Sequence, residues 1–298
     1  MGSGSYTSAD WAKLKKSGRI ADSASASQIF TSRDMPKKFN PRYINKRESR
    51  DNDEHPNSTP VIIGLDVTGS MGYLAEEIAK NSLNETMLKI YSTKPIEDPQ
   101  LMFAAIGDVN DRAPLQVTQF ESDIRIAEQL LELWLEGCGG DGPEDYPLLW
   151  YFAARHTSTD CYEKRGKKGF LFTIGDADSH SSIQRKDLMD IFDDTKDVDL
   201  FSAAQLAKEA SEKYELFHIH LNDNNEIPEQ LNQAIPGRIL VLPKDCVNNI
   251  PELIITALLI AGGMDREEAF RQLPEMIQPT IRNAFAKTVI ENRKGIAF

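Results

Sequence analysis

Asp66, Thr68 and Ser70 occupy alternate positions of one short segment, Asp66-Val67-Thr68-Gly69-Ser70-Met71-Gly72. One carboxylate and two hydroxyls at that spacing suit a hard divalent cation, above all Mg²⁺, which takes few protein oxygens and keeps several waters. Three further stretches carry side chains of the same kind. Asp108, Asn110 and Asp111 form the first, Gly139-Gly140-Asp141-Gly142-Pro143-Glu144-Asp145 the second, and Gly175-Asp176-Ala177-Asp178-Ser179-His180 the third. Taken alone, Asp66 or Ser70 would be read as a cap on the helix that follows. The cation reading depends on the four stretches meeting in space.

The elements between them predict that they do. Val61–Leu65 and Leu101–Ile106 are continuous apolar runs, as in strands buried on both faces, and Gly169–Ile174 is a third strand. Leu216–Leu221 and Arg238–Leu242 read as two more, and Leu115–Phe120 as an antiparallel edge. Apolar residues at helical spacing mark Leu74–Ile90, Ile124–Leu135, Tyr146–His156, Ser202–Tyr214, Ile227–Ile235 and Ile250–Ala261. Strands alternating with helices through residues 60–262 imply crossover units. The expected fold is a doubly wound, mostly parallel α/β sheet with helices on both faces. In such sheets, sites form beyond the carboxyl ends of the strands, where Asp66, Asp108 and Asp176 fall.

With the elements in place, the motifs resemble a known family. Asp66-Val67-Thr68-Gly69-Ser70-Met71 resembles the DxSxS metal-ion-dependent adhesion motif (MIDAS) of von Willebrand factor A domains, with Thr68 in the first hydroxyl position. Gly139-Gly140-Asp141-Gly142-Pro143-Glu144 resembles the GGxDxPE loop of the intracellular bacterial and alpha-kinase-associated branch, where an Asp replaces the Thr of integrin-type domains. Ile174-Gly175-Asp176-Ala177 resembles the strand-end Asp that completes the motif, and Asp178 is a second candidate for that position. The resemblance covers about residues 60–262 with all three parts in order. It implies a Rossmann-like fold and a divalent cation, Mg²⁺ or else Mn²⁺ or Ca²⁺, at Asp66, Thr68, Ser70, Asp141 and Asp176. Asp108, Asp178 and His180 are candidates for the surrounding shell. It further implies that an exposed Asp or Glu of a partner protein completes the coordination, with ATPases and assembly machines as the kind of partner.

Enzymatic readings have less behind them. The sequence has no GxxxxGK[ST] phosphate loop, no GxGxxG after the first strand and no GxSxG elbow. A haloacid-dehalogenase-type phosphotransferase would need an Asp where Thr68 stands. The expectation is a binding protein, not an enzyme; the alternatives are a divalent-metal hydrolase or phosphatase, and a structural or assembly protein. Asp190, Asp193, Asp194, Asp197 and Asp199 lack the Gly and terminal Glu of a calcium loop and read as a solvated surface. Trp134, Trp150, Tyr151 and Phe152 read as core residues at helical positions.

Charge divides the chain. Of 298 residues, 34 are basic and 46 acidic, a net of −12, which argues against general nucleic-acid binding. Residues 1–59 hold 11 basic and 7 acidic side chains, whereas the remainder holds 23 and 39. This Ser-rich segment has too few apolar residues for a core of its own. It reads as an extended basic arm whose aromatics anchor it on the acidic body or on a neighbouring copy, so that self-association through the arm is one outcome. Residues 263–298 read as a helical tail packed back on the domain. No stretch approaches a membrane span, and Met1–Tyr6 lacks the pattern of a signal peptide. Three scattered cysteines, Cys138, Cys161 and Cys246, give no disulfide framework. A reducing, cytoplasmic setting is the expectation.

Overall fold

The computed structural model describes residues 4–18, 20, 23–137, 142–194 and 199–290, with the backbone alone at Ser70 and Gly72. Ten strands follow in chain order: β1 (Arg47–Ser49), β2 (Thr59–Asp66), β3 (Pro99–Ile106), β4 (Leu115–Val117), β5 (Thr157–Thr159), β6 (Gly169–Gly175), β7 (Ser182–Gln184), β8 (Leu200–Ser202), β9 (Tyr214–Leu221) and β10 (Ile239–Leu242). Six of them form the central sheet in the order β10-β9-β6-β2-β3-β4, parallel except for the antiparallel edge β4. The fold is thus a doubly wound, mostly parallel α/β sheet. Its order reverses between β2 and β6, and a crevice opens at such a switch point beyond the carboxyl ends of those two strands.

Both faces are covered because the central strands are apolar on both. Ile63, Leu65, Phe103 and Phe172 join one core, which includes the Ile250–Ala261 helix; Ile62, Met102, Leu171 and Leu216 join the other, against the Tyr146–Arg155 helix. The Ile250–Ala261 helix is buried along its whole length and apolar but for Glu252, which pairs with Lys89, and Thr256, as suits an interior helix. The helix after β2 runs from Gly72 to Thr93 with one π turn at Ile78–Ser82.

Some elements differ from the sequence reading. The helix expected over Ile124–Leu135 spans only Arg125–Leu130. Trp134 therefore leaves the helix; it is half-buried, with the Arg112 guanidinium 4.9 Å over its ring. β1 and β5 pair in parallel, and β7 and β8 pair antiparallel. These three-residue strands are too short and too polar to leave a periodic pattern. The helices Asp160–Arg165 and Arg185–Phe192 were also unanticipated.

The segment before β2 lies on the body. Tyr6, Trp11, Leu14, Ile29, Phe30 and Phe39 are buried in the first core. Polar ties fix the path: Tyr6 donates to Asn84 Oδ1 at 3.2 Å, the Ala26 amide to Glu76 at 2.9 Å, and Ser32 to the Glu132 carbonyl at 2.7 Å. At the other end Arg266 donates to the carbonyls of Phe285 and Thr288, and the Val289 amide donates to the Gly237 carbonyl at 2.8 Å. This draws the tail onto the β10 edge. No helix among the described residues is long and apolar enough to cross a membrane.

A clamp of charges locks the strap next to β1. Arg50 binds Asp160 at 2.9 Å and Glu163 at 2.7 Å, Lys164 binds Asp160 at 2.7 Å, and the Asp51 amide donates to Asp160 at 2.9 Å. Burial alone would push the Asp160 carboxyl up, but the hydrogen bonds from Lys164, the Asp51 amide and Arg50 outweigh it and hold the pKa at about 2. The folded value lies below the unfolded one, so this stabilisation is complete above about pH 4 and is lost as the pH falls toward 2. Thermal melts across that range should show the wild type losing about 1–2 kcal/mol more than Asp160→Asn. Parallel curves would remove the clamp from the account.

Candidate metal centre

Asp66 ends β2 and is fully buried. Its Oδ1 accepts the Thr68 amide at 2.9 Å and the Thr68 hydroxyl at 2.7 Å. This turn folds locally, because a strand-end carboxylate can gather the N–H and O–H two residues on. Oδ2 has no hydrogen bond of good geometry. The Tyr146 hydroxyl lies close by but donates to the Ala177 carbonyl, at 3.4 Å. Gly175 makes room for this arrangement: a Cβ there would stand 2.1 Å from the Tyr146 hydroxyl and 3.0 Å from Asp66 Oδ2. Burial pushes the Asp66 carboxyl up to about 6, against the two Thr68 hydrogen bonds, and the Asp176 charge adds to the rise.

Glu144 supplies the second buried carboxylate. It is only 7% exposed, and its Oε2 has no partner. Burial raises its pKa to about 8, followed by the charge of Asp66, with Asp108 and Asp145 contributing and the Thr68 hydroxyl opposing. The backbone turns Glu144 inward: its amide donates to the Asp178 carbonyl at 2.8 Å, and its carbonyl accepts the His180 amide at 3.0 Å. The sequence reading placed the loop acid at Asp141 and passed over Glu144. The Pro143-Glu144 dipeptide after the glycines was the available signal. Asp141 and the side chain of Ser70 lie outside the described residues, as do Cys138 and Asp197.

The remaining predicted residues divide. Asp176, just past β6, faces the same crevice, and its Oδ2 pairs with the Lys244 ammonium at 2.7 Å. Lys244, just beyond β10, was not anticipated. Asp178 turns the other way. Its oxygens accept the amides of Gln230 and Leu231, each at 3.0 Å, and of Ser179 at 2.8 Å, so it caps the Glu229–Ala234 helix. Asp108, past β3, is buried and holds Asn110 through its amide at 2.7 Å and its side chain at 2.8 Å. His180 Nε2 lies 3.9 Å from Asp108 Oδ2. Asp145 accepts the Val109 amide at 2.8 Å.

The donors around Asp66 are oxygens, two of them buried and unpaired, in a crevice kept open by a glycine. That set fits a hard divalent cation, because a buried carboxylate oxygen without a partner is costly until a cation or proton meets it.

No protein-family model matches the sequence, and no curated protein does. Solved structures of similar shape include the pilus adhesin SpaC from Lactobacillus rhamnosus GG, at 10% identity over 72% of this chain and 32% of that one, with a TM-score of 0.46. Proximal thread matrix protein 1 from the mussel byssus, with a zinc-occupied MIDAS motif, matches at 10% identity over 68% and 48%, with a TM-score of 0.44. A von Willebrand factor type A protein from Catenulispora acidiphila matches at 14% over 70% and 44%, with a TM-score of 0.40. The chain spans about a third of the adhesin and less than half of the other two. Scores at this level assign neither site nor activity.

Proposed function

We propose that this protein is a metal-dependent binding module of the von Willebrand factor A kind, in which Asp66, Thr68, Ser70, Asp141 and Asp176 hold a divalent cation, Mg²⁺ by preference, with Glu144 as a further acid. The observation that carries the reading is the Asp66 carboxylate. It is buried at the sheet's switch point, and Thr68 holds one oxygen while the other is unpaired. Thr68 fixes the carboxylate's orientation, and Tyr146 and Gly175 shape the wall behind it. A cation there supplies an electrophilic position for an incoming carboxylate. Lys244 must release Asp176 if that side chain is to take part.

In this reading the partner is a protein with an exposed Asp or Glu, an adaptor's client such as an ATPase or assembly machine, and the activity is binding without turnover. The reading places the protein in a reducing, cytoplasmic setting, as its few and scattered cysteines suggest. The test is a peptide library displaying a single central Asp or Glu, screened against the full chain in Mg²⁺ and in chelator. Hits should vanish in chelator and when the peptide Asp becomes Asn. Binding indifferent to both changes would sink the proposal. Phosphoester turnover abolished by Asp66→Asn would favour the hydrolase instead.

A further inference from the structure

Beside the Asp66 centre stands a group of donors with different chemistry. Asp108 follows β3, Asp145 precedes the Tyr146–Arg155 helix, and His180 follows β6. One ligand atom from each lies within 4.8 Å of the others, both acids being buried and the histidine half-buried. Two donors on a four-coordinate zinc, each about 2.0–2.1 Å from the ion, stand roughly 3.4 Å apart. The 3.9 Å between His180 Nε2 and Asp108 Oδ2 needs only a small contraction to meet that.

The backbone fixes these three loops to one another. The Val109 amide ties the Asp108 loop to Asp145, and the His180 amide ties its own loop to Glu144. A second observation, outside the triad itself, points to a ligand. Glu144, the neighbour of Asp145, is more than nine-tenths buried with Oε2 unpartnered, and the carboxylates of Asp66, Asp108 and Asp145 are all close enough to act on it. A dry concentration of carboxylates costs free energy unless cations neutralise it. An imidazole among the donors changes which cation fits: oxygen-only sites suit Mg²⁺, whereas a mixed nitrogen and oxygen set suits zinc and its neighbours.

We propose that Asp108, Asp145 and His180 form a second cation site, selective for a divalent ion that accepts nitrogen, with zinc as the type, and that Glu144 stands between it and the Asp66 centre. The triad does not depend on the Asp66 reading; only the sharing of Glu144 rests on it. The half-buried His180 leaves one side of this second ion open to water or to a partner side chain.

The test uses the full chain, freed of metal and titrated with zinc alone under saturating Mg²⁺. Bound zinc is counted by elemental analysis, and the His180 imidazole is followed by NMR. One zinc per chain should bind and shift the His180 resonances. His180→Ala and Asp145→Asn should each weaken zinc by more than about tenfold while keeping the Mg²⁺-dependent rise in melting temperature. Asp66→Asn should do the reverse. Unchanged zinc affinity in His180→Ala overturns the proposal, as does zinc lost equally from His180→Ala and Asp66→Asn, which would mean one joint site. Absence of stoichiometric zinc beside an intact Mg²⁺ effect removes the second site and leaves the first. A zinc site at His180 with no Mg²⁺ effect removes the first and leaves the second.

Discussion

Asp66→Asn should erase the Mg²⁺ dependence of the melting temperature while leaving the metal-free protein about as stable as the wild type. In the wild type, Mg²⁺ at a hundred times its dissociation constant should add about 2.7 kcal/mol by mass action, raising the melting temperature by roughly 4 °C. Asparagine keeps the carbonyl oxygen that accepts the Thr68 amide and hydroxyl, so the turn after β2 survives. It removes the charge on the unpaired Oδ2, and with it the chief attraction for a cation. Asp66→Ala is the harsher variant. It strips both Thr68 donors of their acceptor, which costs about 1–3 kcal/mol even without metal. Differential scanning calorimetry of the three proteins in Mg²⁺ and in chelator separates the effects. A persistent Mg²⁺ shift in Asp66→Asn would move the cation elsewhere.

The second large effect concerns the arm. Phe39 is almost fully buried in the first core, and Phe39→Ala should cost about 3–5 kcal/mol, lowering the melting temperature by roughly 5–8 °C. Deleting residues 1–46 removes Tyr6, Trp11, Leu14, Ile29, Phe30 and Phe39 together, each of which contributes about 1.5–3 kcal/mol by burial. Their sum rivals the net stability of a typical domain, so the truncated chain should aggregate or fail to accumulate. The burial of these side chains in the same core as Ile63 and Phe103 ties the sheet to the arm. A truncated protein that melts cooperatively near the wild-type temperature would show the arm to be dispensable.

The central strands were legible because a strand buried on both faces must be a continuous apolar run. Val61–Leu65 and Gly169–Ile174 could hardly be anything else. Asp66 and Thr68 were legible because their spacing acts within a single turn. Glu144 was not. Its loop holds three acids, and Glu144 is turned inward by a backbone bridge to Ser179, a contact between distant parts of the chain. Asp178 shows the same limit. It stands two residues from Asp176 and reads as its equal, but the amides of Gln230 and Leu231, about fifty positions away, take it as a cap. Asp145 and Lys244 carried no local signal, and their roles exist only once β3, β6 and β10 are joined in one sheet.

The path of the arm also sets an order of events during synthesis. Its aromatic side chains are made before the groups that receive them. Tyr6 waits for Asn84, and Ser32 waits for Glu132. β2 itself lies between β3 and β6, so its second neighbour is complete only at Gly175. Until those elements are in place Trp11, Phe30 and Phe39 lack their full covering, and contacts of such long separation form slowly. The nascent chain therefore carries a sticky segment while the elements that cover it are still being made, the condition under which chaperones are engaged.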